Sequence, residues 1–484
     1  MSQLLWLAQF FLADICYGVS DIKFVKVKQG LWSDLIEEQA KASFAFKPKR
    51  KKMRTIAKPP IKMSPTMAMN TRVGELRAEG HRVYHLGFGE AKFPVHPKIL
   101  AEFQAHAAAR SYLPVAGLPA LRKKVAGYYL RRFGIEANPK HVIIGSGSKT
   151  MLYAAMTSLD GDVLLPSPTW VSYDTQAQLA GKAVTWMPTS LENNYCPTVE
   201  DLEKGIKSAR AAGQSPGIFV ITSPGNPTSA VYPPELLEGL AEVARREELV
   251  IISDEIYALT TYGDVPFVST ATYYPEGTIV TGGLSKHLSL GGWRLGVAIM
   301  PTGEFGESLY QYMTAVAGAV WTTAAAPVQH AATIAYDDDP EIDTYAETCT
   351  AIHGFVTTYL YEVLQELGVP CSEPGGGFYV YPSFAPWRDA LAKKHNIHTS
   401  QDLADFLLDE YYIATLAGTA FGVPSDALTL RLSTSYLYAL TDEEGWEILD
   451  TFERQLPRDQ FLWDACPQVI EVGERFETFI RSLG

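Results

Sequence analysis

The sequence predicts an α/β protein whose large domain contains a mostly parallel seven-stranded sheet sandwiched by helices, followed by a smaller α+β domain. Two patterns favour this fold class. From about Val83 onward, apolar runs of strand length alternate with amphipathic segments of helix length. The runs are apolar along their whole length, which is typical of parallel strands that are covered by helices on both sides.

Seven apolar runs are predicted to be the strands of this sheet, and five amphipathic segments are predicted to be helices between them. The predicted strands cover residues 141–144, 162–165, 183–186, 217–221, 249–253, 278–281 and 296–300. The predicted helices cover residues 118–133, 149–159, 171–180, 199–211 and 234–247. Ligands of open parallel sheets bind at the carboxyl ends of the strands, so the residues that follow each strand are the functional candidates.

The pattern changes after a long helical stretch at residues 342–367. Predicted strands at 378–381 and 428–432 are flanked there by predicted helices at 400–411 and 442–455. We therefore expect a large cofactor-binding domain at 92–338 and a small domain made of 69–91 and 339–484. Residues 1–68 are expected to be an N-terminal extension that ends in a basic, proline-containing linker.

Two segments of this extension have distinct compositions. Residues 4–15 are apolar apart from Asp14 and Gln9, too short to span a membrane, and without the basic start of a secretory signal. They could form an amphipathic helix that packs on the body, on a partner or, as the less favoured alternative, on a membrane surface. The basic run at 47–54 is interpreted as a solvated tether in preference to a localisation signal or a contact with an anionic surface.

Charge and cysteine content exclude some classes of function. The net charge is −13 at pH 7, and this disfavours nucleic acid as a partner because phosphate backbones need a basic surface. The five cysteines are scattered and no two form a Cys-x-x-Cys pair. This pattern predicts neither a metal site nor a disulfide framework, so a reducing compartment, the cytoplasm, is the expected location.

A glycine-rich stretch at 281–296 contains the strongest candidate for chemistry. It holds Lys286, with Ser285 directly before it and Arg294 shortly after. A lysine in an uncharged pocket can lose its proton and attack a carbonyl carbon, while a Ser/Arg pair suits a phosphate group. Taken alone, the stretch fits a surface lysine and a solvated arginine on a loop at least as well.

Other predicted strand ends carry complementary groups. A Gly-Ser-Gly-Ser-Lys-Thr turn at 145–150 suits an anion, Trp170 offers an aromatic face, Asn226 lies between two prolines, and Asp254 and Tyr257 follow one strand. Each has an ordinary structural alternative: a turn, a packed ring or a helix cap. As an ordered set they describe a site for a flat, phosphorylated, nitrogen-containing aldehyde, which is pyridoxal phosphate.

Four motifs carry a family resemblance. They are Ser-Pro-Gly-Asn-Pro-Thr at 223–228, Asp-Glu-Ile-Tyr at 254–257, Ser-Lys at 285–286 with Gly-Trp-Arg-Leu-Gly at 292–296, and Arg-Leu-Ser at 431–433. In combination they resemble the class I/II aminotransferases, the pyridoxal-phosphate enzymes of fold type I that are typified by aspartate aminotransferase. The resemblance covers residues 83–436 and implies both the cofactor and the reaction.

The resemblance implies catalytic and cofactor-binding roles for individual residues. Lys286 would bind the cofactor covalently and move a proton between the substrate and the cofactor. Asp254 would pair with the ring nitrogen, Asn226 and Tyr257 would bind the ring oxygen, and Trp170 would stack on the ring. The phosphate would be held by the turn and by the side chains that flank Lys286, namely Gly147, Ser148, Lys149, Ser285 and Arg294.

The substrate is expected to bind through Arg431, which would form a bidentate pair with the α-carboxylate. Gly89 would allow a close backbone approach to that carboxylate, and Asn226 would also contact the substrate. The alternative for Arg431 is a structural salt bridge. Tyr112 resembles a tyrosine that reaches across a homodimer to the neighbouring phosphate, whereas its structural alternative is an ordinary loop aromatic.

The chain departs from its relatives at three places. Residues 89–93 read Gly-Glu-Ala-Lys-Phe in place of Gly-Glu-Pro-Asp-Phe, Gly283 replaces a hydroxyl residue, and Ala-Gly at 417–418 replaces Pro-Gly. The stretch 318–329 contains no arginine that could bind a second substrate carboxylate across a dimer. This disfavours strict aspartate or glutamate specificity and leaves apolar or aromatic donors open. Aromatic residues that could contribute to such pockets are Tyr128, Phe378, Tyr379 and Phe421.

The expected function is therefore transfer of an amino group from an L-amino acid to a 2-oxo acid by a ping-pong Schiff-base mechanism, without a metal. Another pyridoxal-phosphate reaction on the same fold, by a C–S or β-lyase, a cyclase or an oxidase, is the main alternative because fold does not fix reaction type. A non-enzymatic cofactor-binding scaffold is the third hypothesis, and the full set Lys286, Asp254 and Arg431 argues against it.

Overall fold

The structure is a computed structural model that describes residues 65–484, with side chains described from Met69 onward. The apolar segment at 4–15, the basic run at 47–54 and nearly all of the expected extension at 1–68 lie outside the described residues. In the described part of the chain, no helix is both long enough and apolar enough to cross a bilayer.

Strands and helices alternate through the first two thirds of the described chain. The strands are β1 (Tyr84–His85), β2 (Val142–Gly145), β3 (Asp162–Ser167), β4 (Val184–Pro188), β5 (Pro216–Thr222), β6 (Val250–Asp254), β7 (Thr278–Gly283), β8 (Gly296–Ile299), β9 (Tyr379–Val380), β10 (Ile413–Ala414), β11 (Leu416–Ala417) and β12 (Leu430–Ser433). The helices of the first part are α1 (Pro65–Ala78), α2 (Pro97–Ala105), α3 (Pro119–Phe133), α4 (Ser148–Ser158), α5 (Ser172–Leu179), α6 (Val199–Ala211) and α7 (Pro234–Arg246). The helices of the second part are α8 (Gly303–Val320), α9 (Ala326–Ala335), α10 (Pro340–Glu366), α11 (Arg388–His395), α12 (Ser400–Tyr411), α13 (Asp442–Glu453), α14 (Arg458–Ala465) and α15 (Pro467–Leu483).

The central sheet has seven strands in the order β2-β8-β7-β6-β5-β3-β4. Strands β4, β3, β5, β6 and β7 run parallel to their neighbours, and only β8 pairs antiparallel, with both β2 and β7. The predicted mostly parallel seven-stranded sheet is thus confirmed, as are all seven predicted strands.

Both faces of the sheet are covered, which explains the continuous apolar runs. Consecutive residues of β6 point to opposite sides. Ile251 packs in a cluster with Leu237 of α7, whereas Ile252 packs in a cluster with Met151 of α4 and Met313 of α8. The strand is therefore apolar at every position until its last two residues.

Several strands are longer at their carboxyl ends than the apolar runs that predict them. Strand β5 ends at Thr222, β6 at Asp254 and β7 at Gly283. Thr222 and Asp254 still pair with the neighbouring strands, so polar side chains occupy the final positions of β5 and β6. Strand bounds that are read from apolarity alone stop short of them.

Two small sheets lie outside the central one, β1 with β10 and β11 with β12 and β9. The predicted strand at 378–381 is shorter, since only Tyr379 and Val380 form β9. The predicted strand at 428–432 begins later, at Leu430, because Leu428 has a left-handed φ of 52°, which a strand residue does not adopt. The long helix predicted at 342–367 is confirmed as α10, and the predicted domain boundaries stay predictions.

Candidate active site

The carboxyl ends of β5, β6 and β7 lie side by side at one edge of the central sheet. In the strand register Thr222 pairs with Asp254, and Asp254 pairs with Thr281. A cavity of about 520 Å³ opens beyond this edge. The sequence-predicted site residues that line it are Gly89, Ser148, Lys149, Trp170, Asn226, Asp254, Tyr257, Ser285, Lys286, Arg294 and Arg431.

Lys286 lies in the turn that follows β7, and its amine faces the cavity. Its Nζ donates to the carbonyl oxygen of Gly89 at 2.7 Å and lies 5.3 Å from the ring centroid of Tyr257. Loss of hydration, and then the positive charge of Arg431, lower the pKa of Lys286 to about 8. At pH 7 about a tenth of the amine is therefore neutral and nucleophilic, far more than for an ordinary lysine.

Asp254 is the last residue of β6 and is 3% exposed. Its Oδ2 accepts a hydrogen bond from the Tyr173 hydroxyl at 2.8 Å, and its Oδ1 accepts one from Thr281 at 3.4 Å. Burial raises the pKa of Asp254 to about 6 despite these bonds. In the described chain no lysine or arginine lies within ion-pair distance of it, so a cation in the cavity would stabilise the carboxylate.

The segment after Asp254 differs from the helix start that the sequence suggests. Residues 256–259 form turns, in which Ala258 donates to the Glu255 carbonyl and Thr260 donates to the Tyr257 carbonyl. These hydrogen bonds span three residues, so no α-helical turn follows and Asp254 is not a helix cap. The turns still bring Tyr257 into the cavity wall, as predicted.

Arg431, on β12, is 3% exposed and reaches across to Asn226. One guanidinium nitrogen donates to the Asn226 side-chain oxygen at 3.2 Å, and another donates to the Gly87 carbonyl at 2.9 Å. Its Nε has no hydrogen-bond partner among the described residues, and no described carboxylate forms an ion pair with it. The structural salt bridge weighed as an alternative is therefore wrong, and the buried cation suits an anionic ligand.

The anion-binding end of the cavity is formed by the start of α4. Gly147 precedes the helix with a φ of 92°, and no side chain caps the first turn. Gly147 does not line the cavity itself, but a Cβ added to it would overlap the guanidinium of Arg294. Gly296 has a similar role, since its Cβ would overlap the backbone of Gly147 and Ser148. These glycines let Arg294 and the helix terminus converge on one point.

Lys149, in the first turn of α4, and Trp170 lie next to each other in the cavity lining. The Lys149 Nζ lies 5.0 Å from the Trp170 ring centroid, and no described carboxylate lies within ion-pair distance of it. Burial, and then the nearby Arg294, lower the pKa of Lys149. The cavity thus contains a fourth cation, beside Lys286, Arg294 and Arg431, that the described residues leave unpaired.

Two further predicted residues have surroundings that differ from those of the other site residues. Tyr112 is 87% exposed and lies outside the cavity lining. Gly89 lines the cavity, but the space that a side chain would fill at Gly89 is taken by the hydroxyl of Tyr379. Of the four aromatic residues suggested for a side-chain pocket, only Tyr379 lines the cavity, whereas Tyr128 lines two other cavities.

Tyr173 and Glu90 belong to the site but were not predicted from the sequence, and Tyr379 was predicted only as part of a side-chain pocket. Tyr173 contacts Asp254, Tyr379 contacts Tyr257, and Glu90 lines the cavity with its Oε2 2.5 Å from the Tyr436 hydroxyl. Tyr173 lies three residues after Trp170, in the first turn of α5, and Glu90 follows Gly89 directly. Their closeness in the sequence to predicted site residues could have identified both of them.

Comparison with known proteins agrees with this geometry. The family model described as aminotransferase class I and II matches residues 82–444. An aspartate aminotransferase of Geobacillus stearothermophilus is 33% identical over 380 residues, which are 77% of this chain and 92% of the relative. A probable aspartate/prephenate aminotransferase of Aquifex aeolicus is 32% identical and is covered over 93% of its length, with 79% of this chain aligned.

Solved structures show the same fold. The structure of Thermus thermophilus aspartate aminotransferase with maleate matches with a TM-score of 0.71 and 29% identity, over 84% of this chain and all of that one. An aromatic aminotransferase of Pyrococcus horikoshii matches with a TM-score of 0.69 and 26% identity, over 85% of this chain and all of that one. This chain belongs to the class I and II aminotransferase family and is a transaminase.

Proposed function

We propose that this transaminase uses pyridoxal phosphate bound at Lys286 and takes dicarboxylic L-amino acids as donors. The observation that carries the proposal is the pairing of Lys286 and Asp254 across one cavity. The pKa of the amine is lowered to about 8, and the buried carboxylate has no described ion-pair partner. The ring of the cofactor has a carbonyl, which needs a reactive amine, and a basic nitrogen, which needs an unpaired carboxylate.

The cavity residues fit the whole cofactor. Asp254 would pair with the ring nitrogen, Asn226 and Tyr257 would bind the ring oxygen, and Trp170 would cover the ring. The phosphate would be held by the uncapped start of α4, with the backbone of Ser148 and Lys149 and the side chains of Ser285 and Arg294. When bound, pyridoxal phosphate supplies an electron sink that makes the substrate α-proton acidic.

Lys286 has two tasks in this scheme. Its neutral amine would hold the cofactor covalently, and when it is free again its Nζ would accept the proton that leaves the substrate α-carbon. A pKa near neutrality suits a group that must both take and return a proton. Arg431 would fix the α-carboxylate and thereby aim the α-hydrogen at Nζ.

Lys149 supports the choice of dicarboxylic donors. Three cavity cations have tasks on the cofactor or the α-carboxylate, and the Lys149 ammonium is the one left for a second carboxylate. The Geobacillus relative is named an aspartate aminotransferase, and the Thermus structure was solved with maleate, which is a dicarboxylate. An arginine in 318–329 is thus not needed for an acidic side chain to find a cation.

We also propose a cytoplasmic homodimer in which Tyr112 reaches the phosphate of the neighbouring site. Tyr112 is 87% exposed, and Tyr312 and Val320 of α8 are also exposed. Aromatic and aliphatic side chains of this kind gain burial at subunit contacts. The four described cysteines are buried free thiols, which supports a reducing compartment.

Absorption spectroscopy with single substrates tests the reaction. The purified protein should show the visible band of lysine-bound cofactor, and aspartate alone should remove this band. A 2-oxo acid should restore it, because a ping-pong transaminase completes each half of the cycle separately. Release of ammonia with pyruvate would indicate a lyase instead, and a spectrum that no amino acid changes would contradict the proposal. Lys286→Ala is the control without the covalent attachment.

A further inference from the structure

A pair of buried phenols extends the site beyond the family motifs. The hydroxyl oxygens of Tyr257 and Tyr379 lie 2.6 Å apart, and the two side chains are 3% and 1% exposed. Tyr257 follows β6 in the central sheet, whereas Tyr379 begins β9 in a small sheet. The contact therefore joins two parts of the fold that are 122 residues apart in the chain.

Either hydroxyl could donate this hydrogen bond in the protein alone, but its direction is fixed once Tyr257 donates to the cofactor. Each phenol carries one proton and can donate once. Burial raises the pKa of both tyrosines, so both stay protonated through neutral pH. In the proposed function the Tyr257 hydroxyl donates its one hydrogen bond to the ring oxygen of the cofactor. The proton between the two phenols must then come from Tyr379.

Tyr379 is held for this task from several sides. Its backbone N–H donates to the hydroxyl of Ser229 at 2.9 Å, and in the strand register it pairs with Ser433. The guanidinium carbon of Arg431 lies 4.8 Å from its ring centroid. The absence of a side chain at Gly89 leaves room for its hydroxyl.

We propose that Tyr379 is a positioning residue whose hydroxyl donates to Tyr257 and so directs the Tyr257 proton to the ring oxygen of the cofactor. The inference rests on the proposed function. A hydroxyl that accepts a hydrogen bond becomes a better donor. Loss of the Tyr379 hydroxyl therefore leaves more negative charge on the ring oxygen, which favours the protonated form of the Lys286 nitrogen beside it.

Tyr379→Phe tests this with an isosteric ring, and Tyr381→Phe is the matched control. Tyr381 is also buried and lies two residues further on, but its hydroxyl bonds to Thr429 at 2.9 Å and does not line the cavity. The readouts are the pH titration of the visible band of the holoenzyme and the dissociation constant of pyridoxal phosphate from the apoprotein. We expect Tyr379→Phe to raise the pKa of the band by about half a unit to one unit, and Tyr381→Phe to leave it unchanged.

A double variant separates positioning from general damage. In a Tyr257→Phe background the Tyr379→Phe change should no longer shift the band, because the acceptor of its hydrogen bond is gone. An equal shift in both backgrounds, no shift, or a lowered pKa would each overturn the inference. A wild-type protein without any lysine-dependent band would overturn the proposed function and this inference with it. A normal wild-type band that Tyr379→Phe does not move overturns the inference alone.

Discussion

The Tyr173 hydroxyl donates to Oδ2 of Asp254 at 2.8 Å, in a region from which solvent is excluded. A hydrogen bond to a carboxylate stabilises its charged form, yet burial still raises the pKa of Asp254 to about 6. Tyr173 therefore keeps Asp254 ionisable near neutral pH without neutralising it. The carboxylate stays available for a cationic partner.

The raised pKa of Asp254 predicts that ionisation of this carboxyl lowers the free energy of unfolding of the apoprotein. Because the folded-state pKa lies above the unfolded value, stability is lost as pH rises from about 4 through about 6. Asp254→Asn cannot ionise, so its apoprotein should be more stable than wild type by about 2–3 kcal/mol above pH 7, with little difference below pH 4. Urea unfolding at both pH values measures this. Asp264→Asn, at an exposed position, is the control, and a gain independent of pH would contradict the prediction.

Lys286 should capture pyridoxal phosphate with a rate that rises through about pH 8, because only the neutral amine attacks. Arg431 lowers the pKa of Lys286, so Arg431→Leu should move the midpoint of the rate profile to higher pH. Stopped-flow absorbance of cofactor uptake by the apoprotein gives the profile. The control, Arg481→Leu, removes an exposed charge and should leave the midpoint in place. If the midpoint moved equally in both variants, the nearby charge of Arg431 would not be what lowers the pKa of Lys286.

Lys149→Met should discriminate between donors. It removes a charged contact to the second carboxylate, so kcat/KM for aspartate should fall about tenfold to a hundredfold, while kcat/KM for alanine should stay within about twofold. Steady-state assays with both donors supply the comparison, and Lys207→Met, an exposed lysine on α6, is the control. Equal losses for both donors would assign the Lys149 ammonium to the phosphate.

Tyr112 allows a subunit-mixing test. If Tyr112 serves the neighbouring site, a heterodimer of Tyr112→Ala and Lys286→Ala subunits contains one intact site. After equal amounts of the two variants are mixed and allowed to exchange, activity should recover to about a quarter of wild type. Homodimers of each variant, which should be far less active, are the baseline. No recovery despite exchange, monitored by differential tagging, would show that Tyr112 acts within its own subunit or not at all.

Gly296→Ala should damage the anion-binding end without touching any charged group. Its Cβ would overlap the backbone of Gly147 and Ser148, so the first turn of α4 must shift. We expect the affinity for pyridoxal phosphate to fall at least about tenfold, since aligned backbone donors are lost. Equilibrium dialysis of the apoprotein measures it. Gly74→Ala, where a Cβ meets no atom within 4 Å, is the control with an equal change in chain composition.

The sequence predicts the sheet and most of the cavity lining because both depend on local signals. Asp254 directly follows the apolar run 249–253, and Asn226 lies in the loop after the run 217–221, so the periodicity that predicts the strands also locates these residues. Tyr379 reaches the site from a two-residue strand, which is too short to leave a pattern. Its hydroxyl meets Tyr257 only through tertiary packing. Whether Arg431 forms a salt bridge could also be decided only from the structure, because the sequence does not show which side chains surround its guanidinium.

The register across β5, β6 and β7 constrains how this protein can change over evolution. Thr222, Asp254 and Thr281 lie abreast, and side chains alternate between the two faces of each strand. Deleting one residue within β6 would exchange the orientations of Asp254 and Ser253, whereas an insertion in the connection between α7 and β6 would leave both in place. We therefore expect natural variation in length to accumulate in the connections, while the three strands keep a fixed number of residues.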